Sequence, residues 1–384
     1  MEWKEYKLGD VCEITSSKRI FYSEYEDSGV PFYRSKEIIN LFNKQEIATE
    51  LFIPEERYKE IKEKFGVPQK NDILLTSVGS IGIPYLVKEN DKFYFKDGNL
   101  TWIRNYDARK IDPLFLYIWI ISEVGKRTLE ILSMGAAQAA LTISRLKEAK
   151  IFLPSINEQR AIASILSNYD MLIDINTKRI KLLEESAREL YKEWFVRMRF
   201  PGYEQTKFVK GIPQRWTYKK VTDLLDIKYG KDHKAIEEGD YPCYGSGGVM
   251  RCVNKYLYNG ESVLIPRKGS LNNIMIANDS FWTIDTMFYT IPKMKNVAKY
   301  AYYMLSSVDM ESLNAGAALP SMTTNILSNM DILLPSQDVL EQLETYLSPM
   351  FNGIETLTKE NLNLSATRDR LLPRLLSGGL KVKA

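Results

Sequence analysis

The stretch LPSINEQRAIASILSNYDMLIDINTKRIKLLEESARELYKEWFVRMR, from Leu153 to Arg199, decides the fold of this 384-residue chain. Pro154 ends whatever element precedes it, because proline lacks the backbone N–H that a helix or sheet needs. Asn157 is then a suitable N-cap, and Glu158 lies in the first turn, where the helix dipole favours an acidic side chain. The stretch therefore predicts one long helix from about Asn157 to Arg199.

The apolar residues of this helix recur at alternating steps of four and three, which is the heptad seam of a coiled coil. Its charged residues lie off the seam with both signs mixed, so a narrow apolar stripe is left that needs a partner helix. The seam positions are Ile162, Leu166, Tyr169, Ile173, Asn176, Ile180, Leu183, Ala187, Leu190 and Trp194.

A second stretch of the same kind supplies the partner, since Leu334-Pro335-Ser336 repeats Leu153-Pro154-Ser155. Each seam carries one asparagine, Asn176 or Asn361. An antiparallel pairing with flush ends brings the two asparagines into one layer, where a buried polar pair fixes the register at a cost in stability. Two unrelated helices on separate cores are the alternative. The second seam comprises Leu343, Leu347, Met350, Ile354, Leu357, Asn361, Leu364, Arg368, Leu371 and Leu375.

The composition is that of an ordinary soluble protein of two or three domains, with 45% hydrophobic and 26% charged residues. The net charge of +3 neither demands nor excludes nucleic acid, so a DNA-binding surface has to come from clustered Lys and Arg. No apolar run reaches membrane-spanning length, the N-terminal residues do not resemble a signal peptide, and the three cysteines lack metal-finger spacing. We expect a cytoplasmic protein with no membrane partner, metal or cofactor.

The rest of the chain contains two copies of one plan. Each copy begins with a Trp and a short strand, and continues through further strands and a helix to the Leu-Pro-Ser sequence. A connector rich in turn residues, 200–213, separates the copies. The matched segments are 11–15 with 225–229, 29–35 with 240–246, 72–75 with 262–265, 93–97 with 281–285, helix 113–132 with helix 297–313, and Gly135-Ala136-Ala137 with Gly316-Ala317-Ala318.

These patterns predict an α+β fold in which two mixed α/β domains are separated by a long antiparallel two-helix coiled coil, with a pseudo-twofold internal repeat. The predicted boundaries are 1–152 for the first domain, 153–199 for the central helix, 200–334 for the second domain and 335–384 for the C-terminal helix.

Five local motifs resemble those of the specificity subunit of type I restriction-modification systems. They are KLGDV at 7–11, PFYRSKEI at 31–38, LPSINEQRAIASIL at 153–166, ELYKEWFVRMRFPG at 189–202 and LLPRLLSGGL at 371–380. The resemblance covers essentially the whole chain. It implies two target-recognition domains that each read one half of a split site in double-stranded DNA. It also implies a coiled coil that sets the spacer and docks two modification (methyltransferase) subunits, in a complex with restriction subunits that act as translocase and endonuclease.

The second copy departs from the first where PFYRSKEI becomes YPCYGSGG, as reading two different half-sites would require. Apart from the resemblance, the sequence shows no catalytic machinery. Asp112-Pro113 only approximates a methyltransferase loop and has the form of a helix cap. The glycines near Tyr244 lack the strand-to-helix context of a nucleotide site. His233 lies in a polar turn, which suits a surface residue or a phosphate contact better than a catalytic base.

Turns that combine basic residues, hydroxyls and amides are the candidate DNA contacts. Basic side chains and hydroxyls bind phosphates, and polar side chains read the edges of the bases. For any one of these residues, a solvated loop position is the alternative. The strongest set is Arg267 to Asn273. The candidates are Lys18, Arg19, Arg34, Ser35, Lys36, Ser77 and Ser80 in the first copy, and Lys231, His233, Lys234, Tyr244, Ser246, Arg267, Lys268, Ser270, Asn272 and Asn273 in the second. Gln138 is a further residue that could reach a base.

Two other readings remain open at this stage. One is a coiled-coil adaptor whose two domains bind proteins, and the other is a methyltransferase in its own right. A non-catalytic DNA-recognition scaffold is the first choice. Salt-dependent binding of duplex DNA separates it from the adaptor, and binding of adenosylmethionine tests the methyltransferase.

Overall fold

A computed structural model describes residues 3–47, 49–134, 140–314 and 321–382. The chain divides into two compact units, Met1–Ile175 with Asn361–Ala384 and Asn176–Glu360. Each unit consists of one mixed α/β domain and a length of both long helices. Because the units share the helices between them, the partition into two domains and two separate helices remains a prediction.

The first domain is built on a four-stranded antiparallel sheet in the order β2-β8-β5-β6, with a three-stranded sheet β4-β3-β7 and the pair β1-β9 beside it. Strand β5 has the sequence ILLT and is buried along its whole length, as its continuous apolar run implies. The elements are β1 Lys4–Lys7, β2 Glu13–Thr15, β3 Val30–Tyr33, α1 Ser35–Phe42, β4 Phe52–Ile53, α2 Glu55–Lys64, β5 Ile73–Thr76, β6 Pro84–Leu86, β7 Tyr94–Phe95, β8 Leu100–Arg104, α3 Pro113–Ile121, α4 Glu123–Ser133, α5 Ile143–Lys147 and β9 Lys150–Leu153, followed by the long helix α6 Ile156–Tyr191.

The second domain repeats this topology, with the sheet order β13-β20-β17-β18, a second sheet β15-β14-β19-β16 and the pair β12-β21. Its elements are β10 Phe208–Val209, β11 Ile212–Pro213, β12 Thr217–Lys220, α7 Val221–Leu224, β13 Leu225–Tyr229, β14 Tyr241–Gly245, β15 Gly248–Val253, β16 Tyr258–Asn259, β17 Ser262–Pro266, β18 Met275–Ala277, β19 Ser280–Thr283, β20 Met287–Pro292, α8 Ala298–Ser306, α9 Thr324–Asn329 and β21 Asp331–Leu334, followed by the second long helix α10 Gln337–Leu376.

The register of one parallel strand pair confirms that the two copies correspond residue by residue. In the first domain β3 pairs with β7 so that Phe32 lies opposite Tyr94. In the second domain β14 pairs with β19 so that Cys243 lies opposite Trp282. These are the positions that the sequence match of 29–35 with 240–246 and of 93–97 with 281–285 makes equivalent.

Both long helices follow their predicted seams. All twenty seam positions are buried or half-buried. The start of α6 differs from the prediction, because the helix begins at Ile156 and the Ser155 hydroxyl accepts a hydrogen bond from the Glu158 N–H (3.4 Å). Ser155, and not Asn157, therefore occupies the N-cap position. At its other end α6 finishes at Tyr191 and passes into a π-helical turn, Lys192–Val196.

Within each unit the two helices run antiparallel. In the first unit, Arg368 of α10 donates to Asp170 of α6 (2.5 Å). In the second unit, Asn176 Nδ2 donates to Glu360 (3.1 Å), and the rings of Trp194 and Tyr346 lie 5.8 Å apart. Residue numbers that rise along one helix therefore meet numbers that fall along the other.

The predicted helix 113–132 is two helices, because Ser122 ends α3 and caps α4 by accepting a hydrogen bond from Gly125 N–H (3.1 Å). Asp112 caps α3 as predicted, with Pro113 in the first turn. The helix predicted at 297–313 ends at Ser306. The matched segments Gly135-Ala136-Ala137 and Gly316-Ala317-Ala318, together with Gln138, lie outside the described residues.

Candidate nucleic-acid interface

The turn after strand β5 of the first domain and the turn after strand β17 of the second are held by the same two backbone hydrogen bonds. The turns begin at Ser77 in the first domain and at Arg267 in the second. In each case the backbone N–H of the first residue donates to a carbonyl in the turn before the neighbouring strand, which is β8 or β20. The carbonyl of the same residue accepts a hydrogen bond from the segment before the last short helix, which is α5 or α9. The bonds are Ser77 N to Asn99 O (2.9 Å) and Leu141 N to Ser77 O (2.9 Å), and Arg267 N to Thr286 O (2.8 Å) and Met322 N to Arg267 O (2.9 Å).

In both domains a lysine lies just after the first sheet strand, although the match of 11–15 with 225–229 places Lys18 opposite Asp232, the residue after Lys231. The backbone N–H of Lys18 donates to the hydroxyl of Tyr94 (2.7 Å). The indole N–H of Trp282 donates to the carbonyl of Lys231 (2.9 Å). Because Tyr94 and Trp282 are equivalent residues, one position of the repeat holds the backbone of a nearby lysine in each domain, through the N–H of Lys18 and through the carbonyl of Lys231. Both lysines are exposed.

In the second domain, the turns that carry candidate residues converge. We call the loops 230–234, 245–248, 267–273 and 284–286 the second loop cluster. The Asn273 amide donates to the Ser246 carbonyl (2.7 Å). Gly269 adopts φ +83°, and a Cβ on it would lie 2.6 Å from the Ser246 hydroxyl. Arg267 Nη1 donates to the Asp285 carbonyl (2.7 Å). The predicted sets at Ser246 and at Arg267–Asn273 therefore form one surface.

Arg267 is largely engaged within the protein. Its guanidinium lies 4.8 Å from the ring of Tyr229 and 5.2 Å from that of Phe288, in addition to its bond with the Asp285 carbonyl. Stacking of this kind is favourable and fixes the side chain. The next residue, Lys268, is exposed. The turn therefore presents Lys268 to solvent, and Arg267 anchors it.

The two asparagines of this turn also have partners within the domain. Asn272 accepts from Met310 N–H (2.7 Å) and donates to the Asp309 carboxylate (3.1 Å). Asn273 bonds to Ser246, as described above. Ser270 is exposed, beside them. Because the amide groups of Asn272 and Asn273 form hydrogen bonds within the domain, they stabilise the conformation of the turn and are less available to contact bases.

The remaining candidates of the second domain differ in their exposure. The carbonyl of His233 accepts a hydrogen bond from Arg251, so its backbone is tied to β15. Lys234 is exposed. Tyr244 is half-buried, and its ring packs edge-on against Phe281 at 6.1 Å. Burial, together with the negative charge of a nearby aspartate, raises the pKa of the Tyr244 phenol, so this group is a neutral hydrogen-bonding residue.

In the first domain, Arg34 caps α1. Its Nη2 donates to Glu37 Oε1 (2.9 Å), and its backbone N–H donates to Glu37 Oε2 (2.8 Å). Burial alone would raise the pKa of Glu37, but the hydrogen bonds from Arg34 outweigh it and the pKa is lowered. Arg34 therefore stabilises the fold. Ser35 is half-buried, and Lys36 is exposed in the first turn of the helix.

The other first-domain candidates divide between surface and core. Arg19 bonds to Asp97 (2.7 Å) but keeps two-thirds of its side chain exposed. Ser77 is 3% exposed, and its hydroxyl shares a hydrogen bond with Thr101 (2.6 Å). The Ser77 side chain is thus part of the sheet. Ser80 is exposed, after Gly79 with φ +77°.

Of the two seam asparagines, Asn176 is buried and bonds to Glu360, as described above. Asn361 is half-buried. The pairing of Asn176 with Asn361 joins residues of different units and stays a prediction.

Comparison with known proteins gives the family. The family model described as "Type I restriction modification DNA specificity domain" matches residues 1–185 and 213–365, which covers most of the chain and both copies of the repeat. The chain belongs to this family. It is therefore the DNA specificity subunit of a type I restriction-modification system, which is not itself an enzyme, and the reading as a methyltransferase falls away.

Several specificity subunits are similar over most or all of their length. The MjaIX specificity subunit of Methanocaldococcus jannaschii is 27% identical over 424 residues, covering 100% of this chain and 94% of that protein. The HindI specificity subunit of Haemophilus influenzae is 21% identical, covering 98% of this chain and 99% of that protein. A crystal structure of a type I S subunit from M. genitalium has the same fold, with a TM-score of 0.69 at 18% identity, and covers 98% of this chain and 96% of that one.

As a specificity subunit, the chain works with DNA, methyltransferase and restriction subunits.

In the described parts of the chain, the helices are all too short or too polar to cross a membrane. Likewise, residues 3–47, 49–134, 140–314 and 321–382 hold no group of three or more His, Cys, Asp or Glu that could bind a metal ion.

Sequence reasoning missed the residues that hold the candidate turns of the specificity subunit in place. Tyr94 and Trp282 hold the backbones of Lys18 and Lys231, and Asp97 bonds to Arg19. A signal for them was available, because the matched segments 93–97 and 281–285 both have an aromatic residue at the second position and an aspartate at the fifth. The exposed apolar residues Val249 and Met250, beside the second loop cluster, were also missed.

Proposed function

We propose that each unit of this specificity subunit reads one half of a bipartite DNA site through the loops at the end of its domain. One observation supports this proposal above the others. In each domain the aromatic residue at the same position of the repeat binds the backbone of a lysine, Tyr94 that of Lys18 and Trp282 that of Lys231, whereas the turns next to these lysines differ in sequence between the two domains. A lysine at a fixed place suits a phosphate, which is the same in every sequence, and a variable turn suits the bases.

The candidate contacts can be assigned to these two roles. Lys18, Lys231 and Lys268 are exposed lysines on turns, and each would neutralise one phosphate. Arg267, Arg34, Asn272 and Asn273 hold the turns in shape. The base contacts would then come from side chains that project between the lysines.

The paired helices are the proposed docking site for two modification subunits, which in turn assemble with restriction subunits. In the first unit, α6 exposes Met171, Leu172 and Ile175 to solvent, although its seam faces α10. An exposed apolar surface on a helix that is already paired through its seam is typical of a site that another protein covers. We propose that a modification subunit binds there.

The test uses the complete chain reconstituted with its modification subunits and a duplex that carries the methylated motif. Lys18→Ala and Lys231→Ala should each lower affinity for all DNA sequences. Each should also reduce the slope of log affinity against log salt by about 0.9, as expected for the loss of one phosphate contact. The double variant should lose about twice as much.

Lys295→Ala is the matched control, because Lys295 is an exposed lysine of the second domain outside the loop cluster. It should leave the salt slope unchanged. If the Lys18 and Lys231 variants bind with the parent slope, the loops are not at the DNA and the proposal fails.

A further inference from the structure

The two domains differ in structure directly after the parallel strand of the second sheet. In the first domain β3 leads into the helix α1. In the second domain β14 leads through a tight turn at 245–248 into β15, so that the two strands form a hairpin. The same position in the repeat is thus occupied by a helix in one domain and by a β-ribbon in the other.

A β-bulge exposes two apolar side chains on this hairpin. Tyr244 pairs with Val249 and Cys243 pairs with Arg251, which makes Met250 the extra residue of the bulge. Val249 is 56% and Met250 57% exposed. Bulges commonly redirect side chains next to functional sites.

The sequence of the turn is what permits this arrangement. A Cβ at position Gly245 would lie 2.5 Å from Met250 Sδ, so the methionine side chain packs directly over this glycine. Gly248 adopts φ +120°, which is also unfavourable for other residues. The glycines that resembled a nucleotide motif in the sequence therefore shape this hairpin.

Basic loops hold the hairpin on both sides. Arg251 of β15 donates to the carbonyls of His233 and Ile236 (2.7 Å to Ile236), in the loop that carries exposed Lys231 and Lys234. On the other side, Asn273 bonds to the carbonyl of Ser246 in the turn. That bond connects the hairpin to the loop of Lys268. The exposed apolar pair thus lies on a hairpin that is bonded on both sides to loops carrying exposed lysines.

We propose that the β14–β15 hairpin enters the major groove of the second half-site and that Val249 and Met250 contact the methyl groups of thymines. This inference rests on the proposed function and names the element that reads the bases. The major groove admits a two-stranded β-ribbon, and its thymine methyl group is the one apolar feature that a base pair presents there. The flanking lysines would contact phosphates on either side of the groove. A DNA duplex is therefore the occupant that fits both the apolar pair and the surrounding charge.

Replacing thymine with deoxyuridine tests the contact directly, because it removes only the methyl group. The complete chain, reconstituted with its modification subunits, is titrated with duplexes that carry deoxyuridine at one thymine of the second half-site at a time. For the parent protein we expect at least one position at which affinity falls about fourfold, as for the loss of one buried methyl group. Thymines of the first half-site serve as the internal reference.

The variant Val249→Ser/Met250→Gln should bind thymine and deoxyuridine duplexes equally well at that position. It should retain the parent salt slope and the parent preference at the first half-site. Both residues are exposed, so we expect the thermal unfolding midpoint to stay unchanged. Val209→Ser, at an exposed valine of the β10–β11 hairpin, is the matched control and should keep the discrimination.

Three results would overturn the inference. The first is a second half-site without any A·T pair, and the second is a double variant that still discriminates thymine from deoxyuridine. The third is a double variant that no longer binds its modification subunits but still discriminates thymine from deoxyuridine. That result would identify the hairpin as a protein-docking site. If instead the parent complex shows no sequence preference through the second unit, the proposed function itself fails.

Discussion

The Arg34–Glu37 ion pair holds the start of α1 through a carboxylate that is 1% exposed. Replacing Arg34 with alanine leaves this buried charge without its partner, which costs about 3 kcal/mol. We expect Arg34→Ala to lower the free energy of unfolding of the first unit by about that amount, measured by native-state hydrogen exchange. Lys36→Ala, at an exposed residue of the same turn, should have no effect. Equal protection in both variants would show that the pair does not stabilise the unit.

The same pair gives the first unit a defined pH dependence. The pKa of Glu37 is lowered from 4.5, since the hydrogen bonds from Arg34 outweigh the opposing effect of burial. A carboxyl whose pKa is lower in the folded state adds stability above its unfolded pKa, and that stability is lost as the pH falls through the folded value. We expect the unfolding midpoint of the first unit to fall between about pH 5 and pH 3. In Glu37→Gln this part of the pH dependence should be absent.

At the scale of single residues, the sequence identified turns rich in basic and polar groups, but not their partners within the fold. Arg19 bonds to Asp97, 78 positions away along the chain, and Arg267 stacks on Tyr229 and Phe288. Whether an arginine faces DNA or another part of the protein depends on such distant neighbours. A local pattern cannot contain that information, which is why Ser77 and Arg267 looked like surface residues.

Lys299 joins the second domain to the helix α10. The side chain is 5% exposed and contacts the carboxylates of Glu261 and Glu344 (2.5 Å to Glu344). Lys299→Met leaves two carboxylates next to each other without a counterion, so we expect a loss of about 3 kcal/mol in the stability of the second unit. Lys295→Met is the control, because Lys295 is exposed in the segment before α8. Equal denaturation midpoints for the two variants would contradict this role.

The proposed docking surface on α6 gives a second prediction for an element. Met171→Glu/Ile175→Glu places two charges on one face of the helix, four residues apart. We expect modification subunits to bind this variant at least tenfold more weakly in calorimetry, because burying either charge costs more than 1.4 kcal/mol. The control is Val124→Glu/Ile131→Glu, which adds the same charges at exposed apolar positions of α4. Unchanged binding by the first variant would exclude this face.

At the scale of elements, periodicity was the reliable signal. Both long helices form along their predicted seams, because a seam of ten positions averages over local irregularities, although α6 gives way to a π-helical turn at Lys192, before the predicted end at Arg199. Two features that depend on a single residue were not predicted from the sequence. Ser122 breaks one predicted helix by capping the next, and a bulge at Met250 interrupts the regular pairing of the β14–β15 hairpin. Each depends on one side chain or one register shift, which a period cannot show.

For the whole molecule, the internal repeat made most of the architecture predictable. The main four-stranded sheets of both domains have the same strand order, and the match between the copies places Phe32 with Cys243 and Tyr94 with Trp282, as the strand registers confirm. What the repeat does not predict is where the copies diverge in structure. The segments PFYRSKEI and YPCYGSGG align by sequence, yet one begins a helix and the other forms a hairpin turn. That divergence is what recognition of two different half-sites requires.

Both long helices are continuous across the boundary between the two units, at 175/176 in α6 and 360/361 in α10. We expect these helices to act as a ruler for the spacer between the half-sites. Suitable insertion points are after Arg179 and after Leu357. They lie between two contacts of the second unit, namely Asn176 with Glu360 and Leu183 with Gly353, so the added residues would face each other.

Four residues inserted at each point form a stutter, which a coiled coil absorbs by local unwinding. They add about 6 Å and turn the helix about 40° beyond a full circle. One base pair adds about 3.4 Å and about 35° of twist, so length favours nearly two extra base pairs and rotation favours one. Slight bending of DNA is inexpensive, whereas presenting the wrong groove face loses the base contacts, so rotation should prevail. We therefore expect a spacer longer by one base pair, or at most two, with both half-site sequences unchanged, as read from methylation mapping of the reconstituted complex. An active variant that kept the original spacer would show that the helices do not set the distance.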